Sequence, residues 1–142
     1  MSLVLDASVA LSWFLSRTSP DEAITSQQTL QKAMIEGGLV PQLWHWEVMN
    51  GLLTAERHVD LGAQAINGFL ADLDSLPISL DATPAQSLRK QILPLALTFH
   101  LTAYDASYLE LAIRTGSSLA TFDRKLAQAA HSAGVSIFGD PS

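Results

Sequence analysis

The sequence predicts an α/β fold, with helices flanking a central and mainly parallel β-sheet. Three observations carry that expectation. Short apolar bursts alternate with longer helical stretches along the chain, and parallel neighbours need crossover helices to join them. The length of 142 residues fits one domain, 1–142, and is enough for a sizeable core. No linker long enough to separate domains interrupts it, and no low-complexity tract is present.

Met1 to Leu5 reads as a short buried strand ending on Asp6, and Ala7 to Leu15 as a helix. The polar break Ser16–Pro20 leads into a second helix, because Pro20-Asp21-Glu22 puts proline and two acids in a first turn. That helix runs to Glu36 and stops at Gly37-Gly38; Leu39-Val40 is then a short strand between breakers. Pro41 opens a helix over about Gln42 to Arg57, and another spans about Asp60 to Leu73. Leu76 to Leu80 alternates apolar and polar, as an edge strand does. Thr83-Pro84 starts a helix that Pro94 is expected to break or kink. Thr102 starts the next, Ala103 to Arg114, closed by Gly116. Ser118 to Thr121 is a strand, Asp123 to Ala133 a helix closed by Gly134, and Val135 to Phe138 a last strand.

Composition narrows the function. Eight Lys and Arg stand against 14 Asp and Glu, for a formal net charge of -6. Binding nucleic acid by bulk positive charge is excluded, since that mode neutralises phosphates with Lys and Arg. With no cysteine, disulfides, zinc-thiolate sites and thiol nucleophiles are all excluded. No apolar run approaches the ~18 residues of a membrane helix, and no basic-then-apolar leader is evident. A cytoplasmic protein without membrane association is the expectation.

The acids fall at informative places. In open parallel sheets, ligands bind beyond the carboxyl ends of the strands. Asp6 follows the first strand, Asp123 follows the Ser118–Thr121 strand, and Asp105 starts a helix after a polar loop. Each is also a favoured N-cap, and Thr102-x-x-Asp105 reads as a capping box. Capping and ligation are compatible, because a carboxylate has two oxygens. Glu47 lies on a helix that is apolar on most sides and so is expected to be largely buried, with Asn50 on its face. Two unit charges ~5 Å apart repel by about 3 kcal/mol at an effective dielectric near 20, so four converging acids need cations. Only three lysines are available. An all-oxygen site suits Mg²⁺ or Mn²⁺ and serves phosphate chemistry.

Four segments resemble the motifs of PIN-domain ribonucleases, in the family's order. They are Val4-Leu5-Asp6-Ala7-Ser8, Trp46-Glu47-Val48-x-Asn50, Tyr104-Asp105-Ala106-Ser107, and Thr121-Phe122-Asp123. The resemblance spans nearly the whole chain and is nearest to VapC-like toxins of toxin–antitoxin pairs. It implies an Mg²⁺- or Mn²⁺-dependent endoribonuclease with Asp6, Glu47, Asp105 and Asp123 as the acidic metal and catalytic positions. Asp6 and Asp105 match the positions most directly tied to the metal, and Ser8, Asn50 and Thr121 match the supporting polar ones. It further implies a homodimer, a cognate antitoxin partner, and RNA cleaved by water to 5′-phosphate and 3′-hydroxyl ends. Arg17, Arg124 and Lys125 are candidate RNA contacts, beside Arg89 and Lys90. An RNA-processing nuclease that is not a toxin, and a catalytically silent partner-binding domain, are the alternatives.

Other chemistries have less behind them. The four histidines are scattered, with no His-x-x-x-His pair. Ser8 and Ser107 lack a nucleophile elbow, and no glycine-rich phosphate loop is present. A signalling receiver domain would want adjacent acids after its first strand, whereas Asp6 stands alone. Trp13, Trp44 and Trp46 are able to stack on bases, but their apolar helical contexts assign them to core or dimer contacts.

Overall fold

The computed structural model describes residues 2–139; Met1 and residues 140–142, which the expected first strand and the 1–142 span include, lie outside them. Four three-residue strands form one parallel sheet: β1 (Leu3–Leu5), β2 (Gly38–Val40), β3 (Ile78–Leu80) and β4 (Ser118–Ala120), in the spatial order β3-β2-β1-β4. β1 is central, fully buried and therefore wholly apolar. It pairs with β2 at Val4–Leu39 and with β4 at Leu3–Ser118, Val4–Leu119 and Leu5–Ala120. β3 is an edge strand, as its alternation predicts.

Among the described residues seven helices cover the sheet: α1 (Ala7–Ser12), α2 (Pro20–Glu36), α3 (Leu43–Val59), α4 (Ala63–Asp74), α5 (Ala85–Phe99), α6 (Ala103–Thr115) and α7 (Arg124–Ser132). α6 lies deepest, with residues 106–112 all buried. Leu3, Leu5, Val9, Tyr108, Leu109 and Leu119 meet at the centre of the core. On its outer side Arg114 bonds Glu110 through Nε (2.8 Å) and Asp81 through Nη2 (2.6 Å), tying α6 to the connection that leaves β3.

Four expectations need correction. α5 runs unbroken through Pro94. None of its residues is buried, so the Lys90 carbonyl that proline leaves without a donor is open to water; the expected break does not occur, and a kink is a separate matter of curvature. α1 ends at Ser12 rather than Leu15; the Ser12 hydroxyl donates to the Val9 carbonyl (2.5 Å) and competes for the helix's own acceptor. Asp60 does not open α4 but closes α3 in the left-handed conformation (φ 55°), while Glu56 Oε2 accepts from Leu61 N and Gly62 N. The Val135–Phe138 strand shrinks to a single bridge, Leu119–Ile137, between Gly134 and Gly139, both at positive φ.

One close approach sets the site. A Cβ on Gly51 would lie 2.3 Å from Leu11 Cδ1, so glycine lets α3 press on α1. That contact brings the helix carrying Glu47 alongside the one that starts at Asp6.

Candidate active site

The carboxyl ends of β1 and β4 lie side by side, and two acids stand there. Asp6 follows β1 and is 7% exposed. It sits at the N-cap position of α1 yet makes no capping bond with its side chain. Instead Oδ2 accepts from Ser8 Oγ and Thr121 Oγ1, both at 2.7 Å. Each hydroxyl is itself held from behind. Ser8 Oγ accepts from Phe122 N (3.1 Å), and Thr121 Oγ1 accepts from Asp123 N (3.0 Å). The turn between β4 and α7 is thus wired through two hydroxyls onto one carboxylate oxygen.

Asp123 is exposed and caps α7, its Oδ1 accepting from Leu126 N at 3.0 Å. Asp105 lies in the first turn of α6, where Thr102 accepts from its N–H (3.1 Å) and is the N-cap. Glu47 comes from α3, and Tyr108 Oη donates to its Oε1 at 2.5 Å.

The acids share one electrostatic neighbourhood. Burial raises Asp6 above the ordinary carboxylate range; hydrogen bonds from Thr121 and Ser8 oppose that, and the charge of Asp123 adds to it. Burial raises Glu47 too, against the Tyr108 hydrogen bond and with the charges of Asp6 and Asp105. Asp105 is raised by desolvation, then by Asp123 and Asp6. Among the described residues no ion pair reaches any of the four; the ion pairs there involve Glu22, Glu36, Asp81 and Glu110.

A PIN domain family profile matches residues 3–132. This chain belongs to the PIN-domain family. PIN domains are generally nucleases, and PIN-domain nucleases generally use divalent metal ions. Two solved structures share the PIN fold with this chain. The crystal structure of PAE2754 from Pyrobaculum aerophilum has a TM-score of 0.68 and 22% identity, over 91% of this chain and 84% of that one. The crystal structure of FitAcB from Neisseria gonorrhoeae has a TM-score of 0.60 and 21% identity, over 96% of each. Among curated proteins nothing matches.

In this PIN domain the donor chemistry fits a hard divalent cation, because every acid offers only oxygen and, among the described residues, none of the four is ion-paired with Lys or Arg. Their side chains share a neighbourhood rather than a point: among the described residues no three His, Asp or Glu close to the spacing that holds an ion.

The remaining expected residues are placed unevenly. Ser8 and Thr121 reach Asp6, as above. Asn50 is exposed and hydrogen-bonds none of the acids. Arg17 stacks over the Phe122 ring (4.6 Å) beside the acid turn while pairing with Glu22 (3.1 Å). Arg124 and Lys125 are exposed in the first turn of α7, and Lys125 is near enough to draw Asp105 slightly down. The largely buried helix expected around Glu47 is half right: Trp44, Val48 and Leu52 are buried, but Glu47 is half-buried, and Trp46, Met49 and Leu53 are exposed. Trp46, at 66% exposure, is therefore not a core residue, unlike Trp44 at 2%.

Tyr108 is the residue that sequence reasoning missed. It is fully buried and donates to Glu47 from beneath. The signal was available, since Tyr108 follows Asp105 by three residues and so shares its helical face.

Proposed function

We propose that this PIN domain is an Mg²⁺- or Mn²⁺-dependent endoribonuclease, with Asp6, Glu47, Asp105 and Asp123 as its acidic site. The observation that carries the reading is the double hydroxyl clamp on a buried Asp6. A carboxylate that merely capped a helix would be spent on backbone N–H groups, whereas this one is fixed at Oδ2 by two side-chain hydroxyls, with a backbone bond from Ala7 besides. When bound, the cation supplies Lewis-acid stabilisation of the phosphorane-like transition state and makes water more acidic.

The chain's own residues do the rest. Asp6 and Asp105 hold the cation, with Asp123 and Glu47 completing the negative surround. Ser8 and Thr121 fix the Asp6 rotamer, and Tyr108 fixes Glu47, so little reorganisation accompanies reaction. Burial raises Glu47, which suits it to accept a proton from the attacking water. Arg17, Arg124 and Lys125 supply the positive charge near the site mouth for an RNA backbone. The likeness of the four motifs to VapC-like toxins supports a toxin role and an antitoxin partner. Exposed Leu93, Leu97 and Ile113, on the neighbouring helices α5 and α6, support a homodimer.

The test is cleavage of single-stranded RNA with Mg²⁺ or Mn²⁺, with EDTA, and by Asp6→Asn and Asp105→Asn. The expected outcome is metal-dependent cleavage lost in EDTA and in both variants, with 5′-phosphate and 3′-hydroxyl products. Full activity in EDTA, or a cyclic phosphate product, would sink it.

A further inference from the structure

Beside the acids the same sheet edge carries a second feature. Asp6 and Asp123 stand beyond the carboxyl ends of β1 and β4. Beyond the ends of β2 and β3 is a cavity of about 240 Å³, lined by Pro41, Gln42, Trp46, Thr83, Leu88 and Ser107 among others. Pro41 immediately follows β2, and Thr83 lies three residues after β3. Adjacent strands are ~4.8 Å apart, so this cavity lies roughly 5–10 Å along the edge from the end of β1. Ser107 is two residues beyond Asp105 on α6, and Trp46 immediately precedes Glu47 on α3. The cavity and the acids therefore draw on the same two helices, α3 and α6, at the carboxyl end of one sheet.

The lining is mostly apolar, with an amide and two hydroxyls. Its one acid, Asp81, is already engaged by Arg114 at 2.6 Å. Trp46 is the least expected member, because two-thirds of an indole stands in solvent on a helix whose other tryptophan is buried. A protein of net charge -6 gains little from bulk attraction to phosphate. Stacking of bases on an aromatic face costs no charge and depends on the base being unpaired.

We propose that this cavity receives an unpaired nucleobase next to the scissile phosphate, with Trp46 as its stacking face and the Gln42 amide at the base edge; the Thr83 and Ser107 hydroxyls already donate to Asp81 and to the Tyr104 carbonyl. The inference rests on the nuclease reading and adds to it a base-binding subsite.

The test uses a short single-stranded RNA and three proteins: wild type, Trp46→Ala and Trp46→Phe. Binding is measured in Mg²⁺ in an Asp105→Asn background, and cleavage in the active chain. Trp46→Ala is expected to weaken binding about tenfold and raise KM, and Trp46→Phe to stay within about threefold of wild type, because a ring remains. Tryptophan emission should be quenched by RNA in the Trp46-containing protein and not in Trp46→Phe, although the latter still binds. An abasic ribose beside the cleavage point should cost wild type what Trp46→Ala costs, with no further loss when the two are combined.

Equal affinity of Trp46→Ala and wild type overturns the inference while cleavage leaves the nuclease reading standing. Trp46-dependent binding without cleavage does the reverse. A change of sedimentation mass in Trp46→Ala, with unchanged RNA affinity per protomer, assigns the face to a protein partner and also overturns it.

Discussion

Two hydroxyls decide the behaviour of Asp6. Each removal takes away one hydrogen bond to a charged acceptor and also strands a backbone N–H, of Phe122 or Asp123. Ser8→Ala and Thr121→Val are each expected to lower kcat/KM about tenfold, and the double variant by less than the product, since both act on one oxygen. Steady-state cleavage rates check this. Tyr108→Phe should cost a similar factor through Glu47, with the melting temperature shifted little because the ring still fills its place. The raised carboxylates also set a pH dependence. An acid whose folded pKa lies above its unfolded value binds protons more tightly when folded, so its contribution to stability falls as pH rises from the ordinary range, near 3.8 for Asp, through the folded value. Asp81 works oppositely. Desolvation pulls it up, but the Arg114 and Thr83 hydrogen bonds and the Arg114 charge hold it low, so its contribution is present above 3.8 and lost as pH falls below. The metal-free protein is thus expected to gain stability on mild acidification before losing it in stronger acid, and Asp6→Asn to flatten the gain. Thermal melts from pH 7 downward measure both.

Strands and helices were legible where a local rule acts alone. Pro20 in a first turn, Gly116 after a last turn and the apolar β1 each announce themselves, and so does the edge character of β3. Elements whose ends depend on neighbours were not. An internal proline is tolerated more readily where its orphaned carbonyl is open to water, and nothing local reveals that α5 lies on the surface. Asp6, Asp105 and Asp123 could be placed because strand ends and helix starts are readable. Glu47 could be chosen but not its burial, because Trp46, Met49 and Leu53 look like core in sequence and face outward in space. Tyr108 could be placed on the face of Asp105 by its spacing, but not paired with Glu47, because that acceptor lies 61 residues away. The α1–α3 contact gives a prediction at this scale. Gly51→Val would drive a branched side chain into Leu11 and should cost about 2–3 kcal/mol in urea unfolding. Adding Leu11→Ala should restore much of the loss, since it vacates the space that Cβ needs.

Across the whole molecule, cation binding and folding are linked. An ion that binds the folded chain alone stabilises it by about 2.7 kcal/mol at a hundredfold excess over Kd. For a domain of this size that is a rise of roughly 5–10 °C. Mg²⁺ is expected to raise the melting temperature of wild type by such an amount and that of Asp6→Asn much less; an equal rise in both would remove Asp6 from the ligand set. The central pairing of β1 with β4 adds a constraint of another kind. Leu3, Val4 and Leu5 meet Ser118, Leu119 and Ala120, so the middle of the sheet joins stretches 115 residues apart. Closing a loop of that length costs about 4 kcal/mol beyond its constant term. During synthesis the Asp6 carboxylate emerges early but gains its second hydroxyl, from Thr121, only when six-sevenths of the chain has been made. Neither half of the polypeptide holds the clamp alone. A nascent or truncated chain carries Asp6, Glu47 and even Asp105 without the residue that completes the clamp on the first of them.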